Sequence, residues 1–371
     1  MTETQFNNPF LSCDLKRYPL SKNESLRAWD AADELLLQHL FESHILHAES
    51  RLLIINDAFG ALTCALSQYQ PINRSDSFVS QYSCQRNMSS IENQVVYQSS
   101  IDELNSPVDV VLIKVPKTLA FLQDQLIRLK SVITPQTQVI AAGMVKQIHT
   151  STLNLFEQNI GTTKTSLATK KARLILSQVN SQTEPQTLPE SQWAVPEYNL
   201  TIVNQANVFS REKLDLGARL LLENLPKDHQ SYIDLGCGNG VIGFRLQQLN
   251  PEAQIQFIDE SYMAVASAKA GYQLNFPEGS QATFLVNNAL TGLKPPVDCI
   301  VCNPPFHQQH AIGDHIAWQM FTQAKAMLKQ GGEISIVGNR HLQYHSKLKK
   351  IFGNVRSIAS NKKFVVLSST K

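Results

Sequence analysis

The sequence predicts an α/β protein made of two tandem units, each an open, mostly parallel sheet with helices wound on both faces. Three observations carry this. Strand-like apolar runs alternate with helical patterns along both halves, which is the signature of a parallel sheet. The order strand, tight turn, helix around Gly240 recurs around Gly60. Between the halves lies SQTEPQTLPESQWAVP, rich in proline and without periodicity. The domains predicted are therefore 1–180 and 197–371, joined by a linker over 181–196.

In the second half, FSREKLDLGARLLLENLP (209–226) has helical spacing and a proline stop. SYIDLGCGNGVIGFRLQQLNP (231–251) reads as strand, glycine-rich turn and helix, and AQIQFIDES (253–261) as a strand ending in an acid, with a helix after it. ATFLVNNAL (282–290) and PVDCIVCNPPF (296–306) are the third and fourth strands. IAWQMFTQAKAMLKQGG (316–332) is a helix that the glycines should end, followed by late strands at 333–340 and 362–370. The first half repeats this order. ESRLLIINDAFGALTCAL (49–66) is strand, turn and helix, SPVDVVLIKVPKT (106–118) is a strand, and a helix and the strand QVIAAGMV follow. Asp109 then corresponds to Asp298, and Pro116 to Pro305.

The copies differ in chemistry. Opposite Asp234-Leu235-Gly236-Cys237-Gly238 the first half has Ile54-Ile55-Asn56-Asp57-Ala58, and opposite Asn303-Pro304-Pro305-Phe306 it has Lys114-Val115-Pro116-Lys117. Only the second copy keeps groups suited to catalysis.

Composition sets limits. With 371 residues, 43% hydrophobic and 17% charged, the chain has material for two cores. A net charge of +2 excludes a polycation, so a nucleic-acid surface must arise from uneven placement. The six cysteines are scattered in apolar surroundings, which reads as reduced thiols in a cytoplasmic protein. Cys299 and Cys302 make a C-x-x-C, but on a strand they face opposite sides of the sheet. No stretch suggests a signal peptide or a membrane span.

Glycines at 236, 238 and 240 allow a tight turn and close approach of a ligand, and Asp259 ends the next strand, about 20 residues on, where an acid meets ribose hydroxyls. Such a turn serves NAD, FAD or S-adenosylmethionine. Two details favour the last. The pyrophosphate fingerprint wants glycine where Val241 stands. Asp234 would repel a pyrophosphate but suits a ligand bearing a sulfonium and an α-amino group.

Asn303-Pro304-Pro305-Phe306 ends the fourth strand, where open α/β sheets bind ligands. An exocyclic amine is a poor nucleophile because its lone pair is delocalised. Acceptors on its hydrogens, here the Asn303 amide oxygen and the Pro304 carbonyl, favour the pyramidal geometry that aims the lone pair. The prolines stiffen the turn and add no competing N–H, and Phe306 offers a flat face for the ring.

On these residues the second half resembles class I S-adenosylmethionine-dependent methyltransferases of the Asn-Pro-Pro-Phe amino-methylating group. The whole chain resembles bacterial ribosomal RNA guanine-N2 methyltransferases, through LRAWDAADELLLQ (26–38), NDAFGALTCAL, VLIKVPKTLA, HTSTLNLFE, ANVFSREKLDLGARL, DLGCGNGVIG and NPPFHQQHA. The resemblance implies two tandem Rossmann-like class I methyltransferase domains, the N-terminal one degenerate. It implies S-adenosyl-L-methionine as cofactor, with Asp234, Gly236, Gly238, Asp259 and Asn288 lining the donor site. Asn207, Phe209, Ser210 and Asp215 would form a flap over it, and Asn303, Pro304, Pro305 and Phe306 the acceptor site. Where many relatives hold the adenine amino group with an acid, Asn287-Asn288 stand here. The implied substrate is N2 of a guanosine in 23S rRNA, naked or in a partly assembled large subunit; since two domains already provide an RNA clamp, a monomer is expected.

Two acid-poor stretches suit phosphate contact: Lys164, Lys170, Lys171 and Arg173, and, after Glu333, Arg340, Lys347, Lys349 and Lys350, with Arg356, Lys362 and Lys363 beyond. The N-terminal copy is thus expected to bind or position RNA. His307, His310 and His315 lack a cysteine or acid to complete a metal set, so no metal is expected. Ser210 also reads as a helix N-cap. The nearest rival is a 16S rRNA guanine-N2 methyltransferase. DNA adenine-N6 and protein glutamine-N5 enzymes usually carry tyrosine in the fourth place of the motif and lack the worn first copy. A non-catalytic RNA-binding assembly factor is the alternative of another class.

Overall fold

The computed structural model describes residues 2–20, 24–183, 186–278, 282–294, 296–305 and 312–371. The chain forms two compact units, Met1–Pro189 and Glu190–Lys371.

The first unit opens with a small ribbon, β1 (Gln5–Phe6) against β2 (Cys13–Asp14). There follow α1 (Ala31–Ser43), β3 (Leu52–Ile55), α2 (Ala61–Ala65), β4 (Ile72–Ser75), α3 (Phe78–Met88), β5 (Val96–Ser99), β6 (Val110–Lys114), α4 (Leu119–Leu129), β7 (Gln138–Met144), α5 (Thr150–Asn159), β8 (Thr163–Thr165) and β9 (Ala172–Gln178). The sheet order is β5-β4-β3-β6-β7-β9-β8. β3 to β7 pair in parallel, while β9 runs antiparallel to both β7 and β8. Successive residues of β3 face opposite layers: Leu52 and Ile54 join the core with α1 and α2, and Leu53 and Ile55 the core with α4 and α5.

The second unit begins with a hairpin, β10 (Ser191–Val195) and β11 (Leu200–Asn204). It continues with α6 (Leu216–Leu222), β12 (Ser231–Leu235), α7 (Val241–Leu249), β13 (Gln254–Asp259), α8 (Tyr262–Asn275), β14 (Ala282–Val286), β15 (Val297–Cys302), α9 (Ile312–Met327), β16 (Leu328–Asn339), α10 (Tyr344–Phe352), β17 (Arg356–Ser360) and β18 (Phe364–Thr370). The order β14-β13-β12-β15-β16-β18-β17 repeats that of the first sheet, strand for strand. Cys299 packs into one face and Cys302 into the other, and all six cysteines are free and buried.

The repetition extends to side chains. Asp298 stands just inside β15 and accepts from the Ser231 N–H at 3.0 Å, latching the foot of the fourth strand to the foot of the first. Asp109 does the same to the Arg51 N–H at 2.8 Å. Ser261 caps α8 and Ser77 caps α3, each on the third N–H beyond it.

Three sequence expectations need correction. The linker read over 181–196 includes β10, whose alternating Ser191, Trp193 and Val195 side chains lean inward while Gln192 and Ala194 point out; the flanking prolines concealed this short strand. The helix read over 316–332 stops at Met327, because Gly331 (φ 81°) and Gly332 lie in a bulge where β16 slips against β15 rather than at a helix cap. Over 209–226, only Leu216–Leu222 is helical. Its N-cap is Asp215, accepting from Ala218 N–H at 2.9 Å, whereas Ser210 sits at φ 56° outside the helix. The sequence reading also passed over α10 and β17.

Candidate functional site

Four neighbouring strands of the second sheet end at one edge and deliver the candidate residues there. Leu235 of β12 pairs with Cys302 of β15, so Gly236 and Asn303 leave the sheet side by side. Leu235 also pairs with Ile258, which places Asp259 beside the glycine turn. Asp259 pairs in turn with Val286, and Asn288 follows two residues later.

The glycine turn is held from its own backbone. Gly236 and Cys237 N–H donate to Ile258 O at 2.8 and 3.0 Å, and Gly238 N–H donates to Asp259 Oδ2 at 2.9 Å. Gly236, Gly238 and Gly240 lie at φ 72°, 53° and 84°, the left-handed region that penalises a Cβ. A Cβ at Gly238 would meet nothing within 4 Å, so the turn faces open space, whereas one at Gly240 would strike Phe244 and Ala268. Two glycines of the turn are thus oriented differently: Gly238 toward a ligand space, Gly240 toward the helix packing.

Asp234 is 0% exposed. Its Oδ2 accepts from Gly243 N–H at 2.8 Å, and its Oδ1 has no partner. Burial pushes the carboxyl up to about 8, against the Gly243 hydrogen bond and with a smaller contribution from Asp259. The carboxylate therefore lies beneath the turn rather than in its open mouth, with one oxygen lacking a donor. Asp259 is also raised by burial, with both oxygens on backbone N–H groups, Oδ1 on Ser261 and Oδ2 on Gly238. The Glu260 N–H adds a third backbone hydrogen bond to this carboxylate, which leaves acceptor capacity for a ligand hydroxyl. Asn288 Oδ1 accepts from Gln319 Nε2 at 3.1 Å. Phe209 precedes α6 and is 58% exposed.

Asn303 Oδ1 is buried without a partner among the described residues, Pro304 is buried and Pro305 is exposed. Phe306, His307 and His310 lie outside the described residues. Two unpartnered acceptors, Asp234 Oδ1 and Asn303 Oδ1, thus flank a glycine turn with open space beside it. Buried acceptors normally find partners, so Asn303 Oδ1, at the strand end beside the turn, is fitted to a donor supplied by a bound molecule, whereas Asp234 is sealed beneath the turn and holds it through Gly243. The site suits a ligand with an amino group and ribose hydroxyls on the donor side, and a planar amine at Asn303.

The corresponding edge of the first unit is closed. Asn56, at φ 66°, takes the place of Gly236 and exchanges amide hydrogen bonds with Gln125 at 3.1 and 2.7 Å. Ser75 stands where Asp259 does, accepting from Ser77 N–H as Asp259 accepts from Ser261 N–H. Lys114 replaces Asn303, and its ammonium contacts Asp30 Oδ1 at 2.8 Å and Asp33 Oδ1 at 2.6 Å. Burial alone would lower this ammonium's pKa, but Asp33 and Asp30 carry it above the usual lysine value.

Of the basic residues, Lys164, Lys170, Lys171 and Arg173 sit on the β8–β9 hairpin, with Lys170 and Lys171 at its tip in left-handed conformation. The antiparallel β9 starts opposite the end of β7, so this tip stands at the carboxyl edge of the parallel strands. Lys170 is partly neutralised by Glu34 at 2.8 Å. Lys349 and Lys350 are exposed on α10, Arg340 precedes it, and Lys347 donates to Leu342 O at 3.0 Å.

Known proteins place this architecture. Residues 3–181 match the family described as RLMG N-terminal domain, and residues 199–368 the methyltransferase small domain. The ribosomal RNA large subunit methyltransferase G of Psychromonas ingrahamii is 48% identical over 96% of both chains. That of Klebsiella pneumoniae is 48% identical over 100% of this chain and 99% of its own. A solved T. thermophilus 16S rRNA N2 guanosine methyltransferase, in complex with AdoMet and guanosine, superposes with TM-score 0.78 over 99% of this chain and 97% of its own, at 20% identity, and so shares the fold. With both units matched along their length, the chain belongs to the ribosomal RNA large subunit methyltransferase G family, its second unit an S-adenosylmethionine-dependent methyltransferase domain.

Proposed function

We propose that this chain methylates the exocyclic N2 of a guanosine in 23S rRNA, using S-adenosyl-L-methionine, and that it works as a monomer in the cytoplasm. The observation that carries this reading is the unpartnered, buried Asn303 Oδ1, emerging beside Gly236 at the edge where the glycine turn opens.

Asp234, Gly236, Gly238, Asp259, Asn288 and Phe209 would hold the donor, which supplies an electrophilic methyl group on a sulfonium. Asn303 Oδ1 accepts one N–H of the guanine amine and the Pro304 carbonyl the other. This draws the nitrogen out of conjugation and points its lone pair away from the ring plane. Pro304 and Pro305 offer no N–H to compete for these acceptors. Phe306 stacks on the base, which must leave its own stack to enter. No strong base is required, because the methylated nitrogen is cationic and releases its proton to water. Catalysis is mostly positioning. Lys164, Lys170, Lys171, Arg173, Arg340, Lys347, Lys349 and Lys350 supply phosphate contacts, and the closed first unit serves RNA binding and positioning.

The test offers methyl-tritiated donor and purified protein to 23S rRNA, 16S rRNA and DNA separately, with Asn303→Ala as control, and identifies the labelled nucleoside after digestion. N2-methylguanosine in 23S rRNA alone supports the reading. Label in 16S rRNA keeps the chemistry and moves the substrate. Donor binding by calorimetry without label on any RNA or ribosomal subunit would overturn the acceptor assignment, and absence of donor binding would point to a non-catalytic assembly factor.

A further inference from the structure

The helix that follows the Asn-Pro-Pro motif carries a side chain the mechanism does not use. α9 reaches the donor turn with one face: Gln319 holds Asn288, and Met320 Cε lies 3.5 Å from where a Cβ on Gly236 would be. Another face packs on α10, with the Phe321 and Tyr344 rings edge to face at 5.4 Å. On the outer side of that seam Trp318 remains 37% exposed, and Lys350 of α10 reaches over it with Nζ 5.4 Å from the ring centroid. Lys349 is exposed beside it on the same helix. After Glu333 the given sequence has no acidic side chain, so nothing on α10 neutralises these lysines.

An exposed indole is costly in water, and a structural role would be served by burying it in the α9–α10 seam. An indole with the Lys350 ammonium over one face, Lys349 exposed on the same helix and no carboxylate on α10 instead matches an unpaired nucleotide: the exposed part of the ring takes the base and the lysines take the phosphate. We infer that Trp318, with Lys350, is a stacking platform for a single-stranded nucleotide flanking the methylated guanosine. This rests on the RNA-methylating function proposed above. The platform holds the strand beside the motif while the target base is turned into the site. It explains why a helix that already contacts the donor turn also carries an aromatic ring outward.

The test compares wild type, Trp318→Ala and Trp318→Phe in methylation of a 23S rRNA fragment, and repeats each with abasic sites at the nucleotides flanking the labelled guanosine. Trp318→Ala should raise the KM for RNA roughly ten-fold, with kcat and the donor Kd little changed, and Trp318→Phe should keep most of the affinity. One abasic fragment should weaken wild type by the same factor and Trp318→Ala by no further amount. An unchanged KM in Trp318→Ala, while wild type methylates the fragment, would overturn the platform and leave the enzyme function standing. Losses in kcat and donor affinity together would also overturn it, showing that Trp318 only supports the fold. If wild type methylates no rRNA, the underlying function fails first and the platform falls with it.

Discussion

Replacing Lys114 by methionine tests whether the first unit's cleft is closed by charge. Its ammonium lies 2.8 Å from Asp30 and 2.6 Å from Asp33, and Asp33 is buried. The carboxyl of Asp33 already stands at about 6, chiefly from burial, with Asp30 and Asp57 adding to the rise and Lys114 opposing it. A folded-state value above the unfolded one means that the fold holds the proton more tightly, so stability declines as pH rises from about 4 to that value. Without Lys114 the carboxyl rises further, and the decline extends upward. Each pH unit over which the variant's carboxyl stays protonated costs about 1.4 kcal/mol, and wild type itself finishes titrating just above about 6, so the variant should be about 2 kcal/mol worse, relative to wild type, at pH 8 than at pH 6. The total at pH 8 should approach the 3–5 kcal/mol, roughly, of an orphaned buried charge. Urea unfolding at pH 6 and 8, with hydrogen exchange in β3 and β6 to assign the loss to the first unit, measures this. Adding Asp33→Asn to the variant should remove most of the pH dependence. Equal destabilisation at the two pH values, or less than about 1 kcal/mol at pH 8, would refute the closed-cleft account.

Other outcomes follow from the site. Asn303→Ala should lower kcat on the order of 10²–10³-fold with the donor Kd nearly unchanged, since it removes an acceptor aligned to the amine; calorimetry and single-turnover rates separate the two. Gly238→Ala, at φ 53° with open space beside it, should cost about 1–2 kcal/mol of stability and also weaken donor binding, because its methyl enters the ligand space. Gly243→Ala, whose Cβ would run into the Phe257 ring, should instead destabilise the unit by several kcal/mol or stop it folding, read by thermal melting. Calorimetry of wild type should find one donor site per chain, the first unit contributing none. Replacing Lys171 and Arg173 by alanine should weaken RNA binding and flatten its salt dependence.

The tandem plan was readable because it rests on local signals: apolar runs, a glycine turn and Asn-Pro-Pro, each written in consecutive residues. The pairing of Lys114 with Asn303 by position was readable too. The ammonium's partners were not, since Asp30 and Asp33 lie some 80 residues earlier and no local pattern links them. Asp234 shows a similar limit. Its identity suggested a ligand contact, but only the fold shows it sealed beneath the turn with one oxygen on Gly243. β10 was lost because five residues between prolines carry too little pattern to outweigh the turn signals around them. Ser210 met the preference for an N-cap, yet Asp215 caps the helix, because Ser210 lies in a left-handed turn and the chain bends through 212–213 before α6 begins.

The Lys114 cluster makes the divergence of the two copies hard to undo. Restoring an asparagine at 114 strands two carboxylates, and restoring a neutral residue at 33 first leaves an ammonium with one partner at a half-exposed acid. Each single step passes through an unbalanced interior whose cost, several kcal/mol, is a large part of the 5–15 kcal/mol, roughly, that holds a domain together. The first unit's lost chemistry is thereby locked out by stability, and selection on it is left to act on its outer surface.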